Sequence, residues 1–468
     1  MNIKVATEKN IVSESNLLKI FMNNSKVDIS NIPKFKEFYL DDQDLNKLLE
    51  AWKFNIERDA NLLYRQSLSS LTDLPDDSLY YHLDKSDWLK AAQVTEVFRN
   101  PLICKNAGRL DLKNLQKNVQ KWITSSDENL NLIIGWGQPK RPAGGIKSIG
   151  PYADLAELFS ISRLITIVKA LESIIGCNIT MTVLTGGSRF FSALFTRPEI
   201  TNNYDIQRQF LADLMDENKK INFVPFVNSS HNSKESIQVN DEVIDSITND
   251  QILSKIKTIT LNIDWEHLFH PNMALRYKNP HNIKLSLDLE KWLEGNSTEN
   301  IVRFIRISIY CLITGNYYNA EDADFEDHTI LDDMVSFMHD VAWESTKKYI
   351  AIHEINELND TNLVHDNNFR LTVHEKSGLR TLPAILTLGV NGGNQLSQHV
   401  VTYVHTKEPI FGAFAEFWDK DLSLVKLKKD CNYKLFNWLK EYNQPLFISS
   451  LTVNEVLSFL NKSSKIFN

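Results

Sequence analysis

Cysteine is scarce: four residues in 468, and Cys104, Cys177, Cys311 and Cys431 lie far apart with no CxxC pair. Metal sites need clustered ligands, so these read as free core thiols in a reducing cytosol. An excess of positive charge is missing too. Lys and Arg number 51 against 59 Asp and Glu, and the net charge of −8 argues against a general nucleic-acid binder. No apolar run reaches the roughly 18 residues of a membrane span. The opening MNIKVATEKNIVSESN has no apolar stretch of the secretory kind, so the expectation is a cytoplasmic chain that engages neither membrane nor nucleic acid. With 43% hydrophobic and 24% charged residues, disordered and fibrous classes are disfavoured, and the length allows two or three domains.

Familiar catalytic signatures are absent as well. There is no HExxH, and His267 and His270 in HLFH have no Glu between them, so a structural or surface role is expected and no metal is required. The acidic run EDADFEDHTILDD reads as a solvated linker and helix start. Ser188 lacks a GxSxG setting, which speaks against a nucleophilic serine.

What the chain does have is a pattern of alternating elements. Residues 1–110 read as a mostly helical N-terminal extension, with helical spacing in LDDQDLNKLLEAWKFNIERDANLLYRQSL and in SDWLKAAQVTEVF. From 111 to 227 the order is helix, strand (130–136), helix (154–175, with Gly176 as its stop), strand (178–185), helix (204–215) and strand (221–227). This predicts an α/β, Rossmann-like, mostly parallel sheet flanked by helices, with ligands beyond the carboxyl ends of the strands. Residues 228–300 read as an insertion or linker, and 301–468 as the remainder of the α/β domain. In that last part 302–314 is a buried strand or helix, FRLTVHEK (369–376) and PAILTLGV (383–390) are strands, and 433–464 is helical.

Chemistry concentrates in GQPKRPAGGIKSIGPYADLAE, between the first two strands. Lys140, Arg141 and Lys147 sit among glycines and prolines just before a helix, where backbone N–H groups and fixed positive charge together suit an anion. The loop lacks the GKS/T ending of a Walker A sequence and is not GxGxxG, so ordinary dinucleotide binding is poorly supported. A solvated loop with surface lysines is the alternative. Asp154 and Glu157, in the first helical turn, either favour the helix dipole or orient the nearby cationic loop. In FRLTVHEK, Arg370, Thr372 and His374 share one strand face, suiting a phosphate or carboxylate clamp beside a proton-transfer group; a half-exposed strand produces the same alternation.

These motifs resemble the isonitrile (isocyanide) synthases, the family of pyoverdine-cluster and dityrosine spore-wall enzymes. That family carries an apolar strand, a Pro-x-Lys loop, a second Lys six residues on, a Gly and an Asp-Leu-x-Glu helix start. The matching positions here are Arg141, Lys147, Gly150 and Asp154-Leu155-Ala156-Glu157, and FRLTVHEK is similar to the family's Arg-Leu-Ser-Ile-His strand. The likeness covers about residues 111–226 and 340–410. It implies a Rossmann-like transferase that turns the α-amino group of an amino acid, aromatic by family habit, into an isonitrile with ribulose 5-phosphate as one-carbon source. It also implies no cofactor, small-molecule substrates, and a downstream biosynthetic oxygenase as partner. Lys140, Arg141, Lys147, Arg370 and Lys376 would then bind substrate and phosphate, with His374, Glu157 and Lys147 as catalytic groups. Two departures stand out: Arg141 replaces a usual lysine, and Gly186 replaces an Asp of a Ser-Asp-Gly turn. The second keeps two alternatives open, another Rossmann-like transferase or lyase of a phosphorylated metabolite and a non-catalytic relative.

Overall fold

The structure is a computed structural model. It describes residues 35–72, 85–100, 103, 112–125, 129–136, 140, 148–185, 193–196, 198–225, 241–269, 283–314, 328–359, 368–371, 397, 400–405, 408–417 and 420–462.

In chain order the elements begin with β1 (Lys36–Leu40), α1 (Asp42–Ser69), α2 (Lys85–Arg99), α3 (Leu112–Ile123) and β2 (Asn129–Gly135). There follow α4 (Leu155–Ile175), β3 (Asn178–Thr185), α5 (Pro198–Met215) and β4 (Ile221–Pro225). A helical stretch comes next: α6 (Asp241–Ser246), α7 (Asn249–Thr260), α8 (Trp265–Leu268), α9 (Leu287–Gly295), α10 (Thr298–Thr314) and α11 (His328–Asn359). The last elements are β5 (Asn368–Leu371), β6 (Val401–His405), β7 (Glu408–Gly412), β8 (Ser423–Leu427), α12 (Trp438–Glu441), β9 (Phe447–Ser449) and α13 (Val453–Lys462).

The expected α/β class holds. Four strands form an all-parallel sheet in the order β4-β3-β2-β5, with α4 and α5 as the crossovers from β2 to β3 and from β3 to β4. Register is fixed by side chains as well as backbone. Asn131 on β2 accepts from Thr180 (3.1 Å) and Thr182 (3.3 Å) on β3, and its amide donates to Asn368 on β5 (3.1 Å). A one-residue slip would turn this polar ladder to the opposite face.

Helix α4 occupies the middle of the molecule. Every residue in it except Lys169, Glu172 and Ser173 is buried, the property of a helix enclosed on all sides rather than laid on a surface. Phe159 meets Trp52 of α1 edge-on at 4.5 Å and Phe411 of β7 at 4.9 Å. The helix starts at Asp154, whose carboxylate accepts from Ala156 N (2.9 Å), and stops at Gly176, whose φ of 81° lies in the left-handed region. The N-terminal helices cover β5: Phe369 stacks on Phe98 of α2 at 5.3 Å and lies against Trp122 of α3 at 5.2 Å.

Several elements depart from the pattern reading. The N-terminal region is mostly helical as expected, but it also contributes β1, which pairs in parallel with β8 almost four hundred residues away. That strand belongs to a second, mixed sheet in the order β1-β8-β9-β6-β7. The span 433–464 holds β9 between two helices instead of one helical region, since Phe447–Ser449 is wholly buried between β8 and β6. Residues 302–314, open between strand and helix, are helical in α10. Residues 228–300, read as an insertion or linker, include α6 and α7; Ile247 between them and Ile252, Ile256 and Ile259 of α7 join a second apolar core with α9, α10 and α11. Widely spaced isoleucines among polar residues can still supply one buried helix face. The strand expected at 383–390 lies outside the described residues.

Candidate functional site

The strand order locates the site. From β2 the chain crosses to β3 and β4 on one side, whereas β5 is placed on the other side of β2. In open parallel sheets ligands bind where the connections diverge in this way, beyond the carboxyl ends of the strands. Here that point lies between β2 and β5, which run in register with Ile133 opposite Arg370 and Ile134 opposite Leu371. The cationic loop leaves β2 at this end. The Arg370 strand reaches the same end although it is remote in sequence.

A buried ionic cluster forms where the chain has left β2 and enters α4. Lys140 has no exposed surface, and its ammonium sits 2.7 Å from Asp154 Oδ2 and 2.9 Å from Glu157 Oε2. Glu157, also fully buried, accepts from three donors: Lys140, the Asp154 backbone N–H (2.7 Å) and the Tyr204 hydroxyl (2.9 Å). Asp154 and Glu157 thus close a capping box at the start of α4 while holding the loop lysine. Of the two roles open to these carboxylates, the geometry shows both at once.

One ammonium serves two carboxyl groups, and the electrostatics follow from that. Burial pushes Asp154 up to about 8; the charge of Glu157 adds to the rise, and Lys140 opposes it. Burial pulls Lys140 down, but the two carboxylates more than offset it and leave its pKa raised. Burial, and then the charge of Glu157, hold the Tyr204 phenol well above its ordinary value. Burial and the shared site thus favour the protonated form of Asp154, as happens where like charges are held together.

The network continues across α5 to the strand ends. Arg208, buried, lies over the rings of Tyr204 (4.4 Å), Phe223 (4.8 Å) and Trp136 (5.0 Å). It donates to the Trp136 carbonyl (3.1 Å), just beyond β2, and pairs with Asp205. Asp205 in turn accepts from Thr185 Oγ1 (2.8 Å), the last residue of β3. The carboxylate and the aromatic faces compensate the buried charge of Arg208, although its Nε has no hydrogen-bond partner among the described residues. The roots of the loops after β2 and β3 are therefore tied to one helix.

The far end of the cationic loop is fastened by the C-terminal region. Gln444 accepts from Tyr152 N (3.1 Å) and donates to Tyr152 O (2.9 Å), imitating a strand pairing. Its side chain lies so close to Gly150 that a Cβ there would meet Gln444 Cδ at 2.5 Å and Cγ at 2.8 Å. Trp438 donates to Ala153 O (2.7 Å), and Leu155 N donates to Leu446 O (3.2 Å).

Of the residues singled out in the sequence, Lys140, Asp154 and Glu157 come together in this cluster, and Arg370 is placed by its backbone on β5. Arg141, Lys147, Gly186, His374, Lys376 and His270 lie outside the described residues. His267 lies in the short helix α8, far along the chain from the cluster. Among the described residues no group of His, Cys, Asp and Glu could hold a metal ion, and no helix is long and apolar enough to cross a membrane. Among the described residues Cys177 and Cys431 are thiols outside any disulfide. Pattern reading missed Tyr204, Asp205, Arg208 and Gln444. Tyr204 and Arg208 stand four apart on one helix face, a local signal of mutual contact; nothing local marks Gln444.

The fold and site define an α/β protein with a buried ion cluster at the carboxyl end of a parallel sheet. No family model and no curated protein matches the chain. Among solved structures, the crystal structure of the PvcA protein from Pseudomonas aeruginosa aligns with 72% of this chain and 100% of its own, at 13% identity and a TM-score of 0.42. That likeness is distant, and function has to be read from the site itself.

Proposed function

We propose that this chain is an enzyme of the isonitrile synthase type, converting the α-amino group of an amino acid to an isonitrile with ribulose 5-phosphate as the one-carbon source. One observation carries the reading. The two segments that resemble that family, the basic loop with its Asp-Leu-Ala-Glu helix start and the Arg370 strand, are separated by more than two hundred residues yet leave adjacent parallel strands at the switch point.

The chemistry needs three things at that point. A phosphate must be held, which Arg141 and Lys147 from the loop, with Arg370 and Lys376 from the β5 side, would do as preorganised cations. The amine must attack the ketose carbonyl with loss of water, so protons have to move; His374 is the acid/base, its unperturbed pKa lying near neutrality. The two reactants must meet in one orientation, which supports tying both loop roots to a rigid network. Glu157 is the less suited of the two candidate bases, because three donors already occupy its oxygens.

The test is direct. Purified protein is incubated with the common amino acids and ribulose 5-phosphate, and products are read by mass spectrometry and infrared spectroscopy. An isonitrile stretch with the matching one-carbon mass change is the expected result. A formamide or another one-carbon product would reassign the reaction, and no consumption of either substrate would sink it.

A further inference from the structure

The basic loop has fastened ends. Lys140 is fully buried on Asp154 and Glu157, and Ser148 is fully buried, donating to the Gly150 carbonyl at 3.2 Å. Trp136, four residues before Lys140, is held by its N–H on Leu184 O (2.8 Å) and by its carbonyl under Arg208. In the sequence Arg141 directly follows the first of these buried anchors and Lys147 directly precedes the second. All three basic residues look equivalent in sequence, but the structure gives Lys140 two buried carboxyl partners. A cation that receives a soluble phosphate has to meet it, whereas Lys140 Nζ has two carboxylate oxygens within 3 Å and no exposed surface.

We infer that Lys140 is a positioning residue and not a phosphate ligand: its ammonium neutralises and holds the first turn of α4, and so fixes where Arg141 begins. The phosphate-binding cations of the loop are then Arg141 and Lys147. This division of labour rests on the proposed function only for the identity of the ligand; the anchor itself stands on geometry. Removing Lys140 leaves buried carboxylate charge with no cation beside it, the costly way to break a buried pair. Removing the charge of Glu157 at the same time takes away that penalty while keeping side chains of similar volume.

The experiment compares wild type, Lys140→Met, Lys140→Met/Glu157→Gln and Arg141→Ala, by thermal unfolding and by calorimetric titration with ribulose 5-phosphate. Lys140→Met is expected to lower the unfolding midpoint by about 5–10 °C and to weaken binding on the order of tenfold or more. The double variant should recover both to near wild type. Arg141→Ala should weaken binding on the order of tenfold with its midpoint unmoved. A double variant that regains stability but stays an order of magnitude weak in binding would make Lys140 a ligand and overturn the inference. A double variant that fails to regain stability would overturn it too, since the two charges would not then be compensating one another. If wild type itself binds no ribulose 5-phosphate, the proposed function falls, while the recovery of the midpoint still decides the anchor.

Discussion

Gly150 offers the sharpest test of how this site is held, because the three atoms nearest to a side chain there all belong to Gln444. Replacing it with alanine puts a methyl group within 2.5 Å of Gln444 Cδ and 2.8 Å of Cγ. Gln444 cannot swing away freely: it is buried and bonded in both directions to Tyr152. Forcing a methyl group into such a contact costs about 1–3 kcal/mol. Gln444→Ala alone removes two buried hydrogen bonds and strands the Tyr152 N–H and carbonyl, a loss of about 2–4 kcal/mol. If the two effects were independent they would add to within about 0.5 kcal/mol. In the double variant, however, the new methyl group enters space that Gln444 has vacated, so the pair should be more stable than the sum by about 1–3 kcal/mol. Urea unfolding of wild type, both single variants and the double variant, followed by tryptophan fluorescence, closes the cycle. Equal penalties for Gly150→Ala with and without Gln444 would show that something else requires the glycine, and the C-terminal clamp on the loop would have to be abandoned.

Tyr204→Phe removes one of three donors to Glu157 inside the core and should cost about 1.5–3 kcal/mol, the range for a bond to a charged group; a change under half a kcal/mol in urea unfolding would mean the hydroxyl does not support Glu157. Asp154 has a folded pKa of about 8, above its unfolded value of about 3.9. The native chain therefore binds the extra proton between those limits, and the contribution of this group to stability falls as pH rises from about 4 to 8. Asp154→Asn, which keeps a good N-cap, should flatten that part of the profile; parallel wild-type and variant curves of urea midpoint against pH would show that Asp154 does not hold the proton. Lys147→Ala should abolish sugar-phosphate binding with the fold intact, and calorimetry showing unchanged affinity would remove it from the site. His374→Ala should reduce kcat far more than it changes substrate affinity, and near-normal turnover would rule it out as the acid/base.

Much of the molecule was legible locally. The α4 helix announced its start through Asp154 and Glu157 and its end through Gly176, because capping and left-handed stops are properties of a few consecutive residues. The β2, β3 and β4 strands were visible as apolar, β-branched runs separated by helical spacing, and alternation of that kind implies a parallel sheet. The second sheet was not legible: β9 is three residues long, and β1 finds its partner β8 from the opposite end of the sequence. Short strands of that sort carry too little pattern to stand out, and their existence depends on what lies beside them.

Sequence alone therefore determined which segments are helix or strand around the basic loop, and which residue types gather there, since periodicity, caps and charge are written in neighbouring positions. Only tertiary structure decided that β5 lies against β2, that Tyr204 and Arg208 join the cluster, and that Lys140 is enclosed by two carboxylates instead of facing solvent. Strand adjacency and the burial of a charge are outcomes of packing between segments far apart in the chain, and no local pattern of residues encodes them.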